Sequence, residues 1–99
     1  MTEKEMLLII LAEECAETAH RISKALRFTL EEVEPNQKET SLTNGERILY
    51  EYNDILAIME ILQERGVFPK KTYPLLIEDK KSKVEKYLEY SRTLGTIQD

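Results

Sequence analysis

This 99-residue chain contains two short segments with two carboxylates each. The type and spacing of these four side chains indicate a chemical site. Glu14 and Glu17 are three residues apart, and Glu51 and Asp54 repeat that spacing further along the chain. Residues three apart share one face of a helix, so each segment would present two carboxylates in one direction. Two such helices side by side would gather like charges that need a compensating cation. Oxygen-only ligands favour a hard ion, so the pattern predicts a site for Mg²⁺, with Mn²⁺ as the alternative.

Two predicted helices carry these acidic pairs. Apolar residues at helical spacing, with no internal proline or glycine, predict the first helix over about residues 2–28. The second helix is predicted over about residues 44–65. Thr43 and Glu46 would form a capping box at its start, and Gly66 would mark its end.

A third helix and a long loop complete the predicted organisation. The helix is expected over about residues 75–94, although the charged run 78–83 leaves a later start open. The polar stretch 29–43 contains a proline and lacks a sustained period, which predicts a long loop. The sequence therefore predicts one all-α domain over residues 1–99, a helical bundle of about three main helices. A chain of this length buries only a modest core, so we expect oligomerisation to complete the bundle.

The acidic pairs border the predicted apolar faces and do not lie opposite them. At about 100° per residue, Glu17 lies about 60° to one side of Glu14, whereas the apolar residues of that helix occupy about 20–140° on the other side. Glu51 and Asp54 repeat this arrangement on the second helix. Matching placement at two core boundaries favours a shared site. The alternative is that the charges serve ion pairs four residues apart, such as Glu17 with Arg21.

Composition excludes several classes of protein. A formal net charge of −5 argues against a nucleic-acid binder, which needs a basic surface. Cys15 is the only cysteine, so neither an intrachain disulfide nor a paired-cysteine zinc site can form, and we expect it to be a small buried core residue. The apolar run 6–11 is too short to span a membrane, and the acidic Glu3 and Glu5 before it are unlike a secretory signal. A cytoplasmic protein is the expectation.

The remaining candidate side chains carry weaker signals. His20, the only histidine, is expected at the surface or at an interface. Tyr50 and Tyr52 are both candidates for stacking on the base of a ligand, but Tyr52 fits the apolar face and is expected to pack in the core. The three glycines are isolated, so no glycine-rich phosphate loop is present.

The two acidic segments resemble those of the MazG-like all-α nucleoside triphosphate pyrophosphohydrolase superfamily. The family pattern is Glu-Glu-x-x-Glu on one helix and Glu-x-x-Asp on the next, and the resemblance covers about residues 7–65. The pattern is met without substitution by Glu13, Glu14, Glu17, Glu51 and Asp54. One departure is the gap of 33 residues between the two segments, which is longer than is usual in the family.

The resemblance implies roles for these acids. All but the first acid would bind Mg²⁺: Glu14, Glu17, Glu51 and Asp54. Glu13 would be an outer residue or a possible general base. The implied reaction is hydrolysis of a nucleoside triphosphate to the monophosphate and pyrophosphate, with self-association as a dimer or tetramer.

Basic residues along the same lines are candidate phosphate contacts. Arg21, Lys24 and Arg65 extend the acidic stripes, and Arg47 and Lys83 are weaker candidates. Ordinary solvated or ion-paired charge is the alternative for each of them. Two other functions stay open for the whole chain, namely a non-catalytic helical interaction module and a family member that binds nucleotide without turnover.

Overall fold

The computed structural model describes residues 1–33 and 41–98, and these residues form three α-helices. The helices are α1 (Glu3–Phe28), α2 (Asn44–Glu64) and α3 (Pro74–Leu94). Within the described ranges there is no β-strand, only an isolated bridge between Val33 and Thr43. The all-α prediction is confirmed, and each helix end lies within one residue of its predicted position. Residues 34–40 of the predicted loop lie outside the described residues.

Local capping explains where α1 and α2 begin. The side-chain oxygen of Thr2 accepts a hydrogen bond of 3.1 Å from the backbone N–H of Glu5. Before α2, Thr43 and Glu46 form the predicted capping box, in which each side chain accepts from the other residue's backbone N–H at 3.1 Å. These bonds satisfy donors that the first turn of a helix leaves unpaired.

The ends of α3 also follow from its sequence. Pro74 occupies the first turn, where its fixed φ suits a helix and its missing N–H costs nothing. The helix therefore starts ahead of the charged run 78–83 and continues through it. Gly95 follows the last turn at φ 75°, a left-handed conformation that glycine adopts without steric cost.

α1 and α2 form an antiparallel hairpin. The N-terminal end of α1 lies beside the C-terminal end of α2, where Arg65 Nε is 2.9 Å from Glu3 Oε1. Nearer the loop, Arg21 Nε lies 3.6 Å from Glu51 Oε1. Leu62 of α2 is the one fully buried large side chain among the described residues, and the core of the hairpin is correspondingly small.

Asn44 fastens the start of α2 to the end of α1. Its side-chain Nδ2 donates to the carbonyl oxygen of Thr29 at 2.8 Å, and its backbone N–H donates to Glu32 O at the same distance. Thr29 adopts φ 86°, which a β-branched residue rarely does. Only 6% of Asn44 is exposed, so its side-chain amide depends on the Thr29 carbonyl for hydrogen bonding.

Replacing Asn44 with alanine is expected to lower the free energy of unfolding by about 1–3 kcal/mol, because the buried Asn44 side chain and its hydrogen bond to the Thr29 carbonyl oxygen are both lost. Urea denaturation followed by circular dichroism measures the change. Asn53→Ala, at an exposed position of the same helix, is the matched control and should change stability by less than about 0.5 kcal/mol. Equal effects of the two substitutions would contradict the assigned role.

α3 lies apart from the hairpin. In the part of the chain that the structure describes, it packs against neither α1 nor α2, and none of its residues is buried. The radius of gyration is 17.3 Å. A compact domain of this length would have about 13 Å. α1 and α2 thus form one packed layer, and α3 lies apart from it.

A helix needs about 20 mostly apolar residues to cross the hydrocarbon core. None of the three helices in residues 1–33 and 41–98 combines that length with that apolar character.

Candidate functional site

Packing of α1 on α2 brings acids from both helices together. Glu14, Glu51 and Asp54 each place one carboxylate oxygen so that the three atoms lie within 4.8 Å of one another. Glu14 and Glu51 are half-buried and Asp54 is exposed, so the acidic cluster opens to solvent at the edge of the helix contact. We call these three residues the acidic centre. Its oxygens have the chemistry and spacing to hold a hard divalent cation.

Glu17 and Glu13 lie next to the acidic centre but outside it. Both residues and Glu14 border a shallow depression of about 460 Å³, together with Ala16 and His20. Glu17 is exposed and is not part of the group whose oxygens converge. Coordination by all four predicted ligands would therefore require movement of the Glu17 side chain.

The neighbouring charges change the titration of Glu14. Partial desolvation raises the pKa of its carboxyl above the ordinary value of 4.5, and the negative charges of Asp54 and Glu51 raise it further. Glu17 and Glu13 add smaller contributions in the same direction. A bound cation would reverse this effect, because it favours the ionised carboxylate.

Glu14→Gln is expected to raise the melting temperature at pH 7 in the presence of EDTA. A folded-state pKa above the unfolded value of 4.5 means that ionised Glu14 destabilises the native state at neutral pH. As the pH falls through the raised pKa towards 4.5, the native carboxyl binds its proton and the gain from glutamine shrinks. Differential scanning fluorimetry between pH 4 and pH 8 measures this trend.

Two controls accompany that titration. Glu60→Gln, an exposed acid of α2 outside the acidic centre, should show no such pH trend. Added Mg²⁺ should raise the melting temperature of the native chain more than that of the Glu14→Gln variant. A ligand stabilises a protein according to its affinity for the folded state, and the variant lacks one carboxylate of the acidic centre. A lower melting temperature for Glu14→Gln at pH 7 would contradict the repulsion assigned to the acidic centre.

Arg21 lies at the boundary of the acidic centre, as its position on the acidic stripe predicts. Its Nε is 3.6 Å from Glu51 Oε1, and both side chains are mostly buried. The guanidinium therefore offsets part of the negative charge of the acidic centre. Lys24, one turn further along α1, is half-buried.

A groove on α2 leads to two of the acids. Its volume is about 440 Å³, and Leu42, Arg47, Tyr50 and Asn53 line it together with Glu51 and Asp54. Arg47 lies four residues before Glu51, a spacing that places both on one helix face. Tyr50 lines the groove and is 57% exposed. Leu42 and Asn53 carry no periodic signal and were not singled out from the sequence.

The structure does not bring two of the basic candidates to the acids. Arg65 pairs with Glu3 at the opposite end of the hairpin. Eleven residues of helix separate it from Asp54, a distance of about 16 Å along the axis. Lys83 belongs to α3, which packs on neither helix of the hairpin. Of the other basic candidates, Arg21 lies beside Glu51, Arg47 lines the groove on α2, and Lys24 is half-buried one turn beyond Arg21.

Two predicted core residues are exposed, and those predictions were wrong. Cys15 is exposed, and Tyr52 retains 49% of its accessible surface. Both lie on the side of the apolar faces turned away from the acids, whereas the contact between α1 and α2 is centred closer to the acids. The contact between α1 and α2 therefore leaves this side of their apolar faces exposed. His20 is exposed, as expected.

Comparison with known proteins did not assign this chain to a family. No protein-family model, curated protein or solved structure matched it. The resemblance of the two acidic segments thus stays an interpretation of those residues.

Proposed function

We propose that this protein is a Mg²⁺-dependent nucleoside triphosphate pyrophosphohydrolase. The observation that carries the proposal is the convergence of oxygens from Glu14, Glu51 and Asp54 within 4.8 Å across two helices. In proteins Mg²⁺ is commonly held by a few carboxylates together with substrate phosphates, and not by a closed cage. An open, three-carboxylate centre beside basic residues fits that mode of binding.

The proposed reaction adds water across one anhydride bond. The water oxygen bonds to the α-phosphorus, the bond from that phosphorus to the bridging oxygen breaks, and pyrophosphate leaves. Bound Mg²⁺ would neutralise the triphosphate and lower the pKa of the attacking water. Glu14, Glu51 and Asp54 would hold the ion, with Mn²⁺ as a substitute, and Glu17 would join them after a side-chain movement.

The surrounding residues would supply proton transfer and orientation. A carboxylate would take the proton of the attacking water, and the candidates are Glu14 in the acidic centre and Glu13 next to it. Arg21 would contact the phosphates, and Tyr50 in the α2 groove offers an aromatic face to the base.

A second candidate function is an interaction module without catalysis. The exposed apolar side chains of α3 favour it, since a helix of that kind needs a partner. A chain that binds nucleotide and metal but does not turn over is a related possibility. The enzyme and the chain without turnover both bind metal, so Mg²⁺ should raise the melting temperature of either one. It should not do so for a pure interaction module.

A pyrophosphate-release screen tests the enzymatic proposal. Canonical and modified ribo- and deoxyribonucleoside triphosphates are incubated with the full chain and Mg²⁺, and pyrophosphate and monophosphate are quantified together. We expect equal amounts of both products with at least one nucleotide and none with EDTA. Release of orthophosphate in place of pyrophosphate, or no product across the panel with either Mg²⁺ or Mn²⁺, would overturn the proposal.

A further inference from the structure

Arg21 forms an ion pair with one side chain of the acidic centre. Its Nε lies 3.6 Å from Glu51 Oε1, and the two side chains retain only 22% and 19% of their accessible surface. A charge-assisted hydrogen bond between a guanidinium and a carboxylate is shorter, about 2.7–2.9 Å. The contact at Nε is therefore an attraction between two charges without the close geometry that would fix both groups in place.

The carboxylate of Glu51 is shared between two positive groups when a cation binds. Glu51 is one of the three acids whose oxygens converge within 4.8 Å. It cannot give its full negative charge to a divalent ion and to the Arg21 guanidinium at once. Because close like charges repel, Arg21 weakens the binding of a cation that arrives alone.

A nucleoside triphosphate reverses the effect of the Arg21 charge. The three carboxylates of the acidic centre are negative when ionised, and the phosphates add further negative charge beside them. One divalent ion does not offset all of this charge, so a guanidinium at the boundary of the centre stabilises the bound nucleotide. The planar fork of arginine also matches the oxygens of a phosphate. Arg21 thus opposes the cation alone and favours the cation together with the nucleotide.

We infer that Arg21 exchanges its ion pair with Glu51 for the phosphates of the substrate, and that this exchange couples metal binding to nucleotide binding. In the ligand-free chain Arg21 offsets the charge of Glu51. When Glu51 becomes a metal ligand, the guanidinium turns to the phosphate oxygens that arrive with the nucleotide. The inference rests on the proposed function for the identity of the two ligands, and it adds that each ligand strengthens the binding of the other through Arg21.

The exchange requires side-chain movement only. Arg21 belongs to α1 and Glu51 to α2, and other contacts hold these helices together. Asn44 donates to the Thr29 carbonyl oxygen at one end of the hairpin, and Leu62 is fully buried between the helices nearer the other end. A substitution at Arg21 should therefore leave the hairpin folded.

Calorimetric titration of the full chain with Mn²⁺ alone tests the first half of the exchange. Arg21→Met should bind Mn²⁺ at least about 3-fold more tightly than the native chain, because the competing charge is gone. A residue needed only for the fold would give the opposite result, weaker metal binding. Arg21→Lys keeps the charge, so its affinity for Mn²⁺ should stay within about twofold of the native value.

Binding of α,β-methylene analogues of the canonical ribo- and deoxyribonucleoside triphosphates tests the second half. These analogues resist cleavage at the proposed position. With saturating Mn²⁺, Arg21→Met should bind the tightest analogue about 10-fold or more weakly than the native chain, since a charged contact to phosphate is lost. Arg21→Lys should lose less affinity, because it keeps the charge but not the planar fork. Opposite shifts for metal and nucleotide in one variant distinguish the exchange from a structural role.

The matched control is Arg27→Met. It removes one positive charge from an exposed position of the same helix, about 9 Å further along the axis. Salt screens a charge at that separation, so both affinities should stay within about twofold of the native values. Circular dichroism establishes that each variant keeps its helices.

The native chain provides a measurement that does not depend on the folding of the methionine variant. The ¹⁵N resonance of the Arg21 Nε–H group, assigned with Arg21→Lys, should shift when Mg²⁺ is added alone and shift again when the analogue follows.

Four results would overturn the inference. They are a native chain that does not bind Mn²⁺, an Arg21→Met variant that binds Mn²⁺ no more tightly than the native chain, analogue binding that does not change in that variant, and an Arg21 resonance that does not respond to Mg²⁺. Hydrolysis is measured separately by pyrophosphate release. A chain that shows both opposite shifts but releases no pyrophosphate would retain the exchange and lose the enzymatic function.

Discussion

Replacing Glu51 with glutamine is expected to reduce pyrophosphate release by at least about 100-fold, since removal of even an outer partner of a metal ligand costs about 10–100-fold. Glu51 lies at the junction of three features: its oxygen belongs to the acidic centre, it pairs with Arg21, and it lines the α2 groove. The substitution keeps the size of the side chain and removes its charge. Initial rates at saturating Mg²⁺, with the best nucleotide of the panel, measure the loss.

The control for this experiment is Glu60→Gln on the same helix. Glu60 is exposed and lies outside the acidic centre, so its rate should stay within about twofold of the native value. Circular dichroism must show unchanged helicity for both variants. A Glu51 variant that is folded and retains more than a third of the native rate would exclude the acidic centre as the site of hydrolysis.

Leu62→Ala is expected to produce the largest loss of stability, about 2–5 kcal/mol. Leu62 is fully buried, with 0% of its surface exposed. Its carbonyl oxygen also accepts the bonds from Val67 and Phe68 that fix the connector. The cavity left by alanine has few neighbours that can collapse into it, because the hairpin contains so little other core. Urea denaturation at matched protein concentration measures the change.

Leu26→Ala serves as the comparison, because Leu26 is 84% exposed. Truncation there removes little buried surface within the hairpin, so the expected loss is below about 1 kcal/mol. If the two variants lost equal stability, the hairpin core would not be centred on Leu62. If a second chain covers Leu26, Leu26→Ala would lower stability further at concentrations where the chains associate. A dilution series separates that contribution from the effect on the hairpin itself.

Helix positions followed from the sequence because their signals are local. Thr43 and Glu46 lie three residues apart, and the hydrogen bonds between them do not require the rest of the fold. Pro74 and Gly95 act through backbone geometry in the same way. The start of α3 was nevertheless ambiguous, since the charged run 78–83 interrupts the apolar period without interrupting the helix. Charged residues with good helical propensity sustain a solvated helix.

The composition of the acidic centre was predicted in part. Helical periodicity placed Glu14 and Glu51 at the edges of two apolar faces, and Asp54 with them. Periodicity did not predict that the Glu17 carboxylate lies outside the acidic centre, because that depends on the direction of the Glu17 side chain at the contact between α1 and α2. Arg65 shared the stripe of Asp54, yet it lies about 16 Å further along the axis. A helical wheel shows only the angle of a residue around the helix axis, so it does not show this separation along the axis.

The sequence by itself determined the three helices, their ends and the side of each helix that carries charge, because these properties depend on residues within one or two turns. Tertiary structure decided which acids meet, which basic residues lie beside them, and how much of each apolar face the hairpin covers. Cys15 and Tyr52 show the difference: their positions in the period were correct, but their burial depends on a partner surface. Periodicity specifies that a face is apolar, and only packing specifies what lies against it.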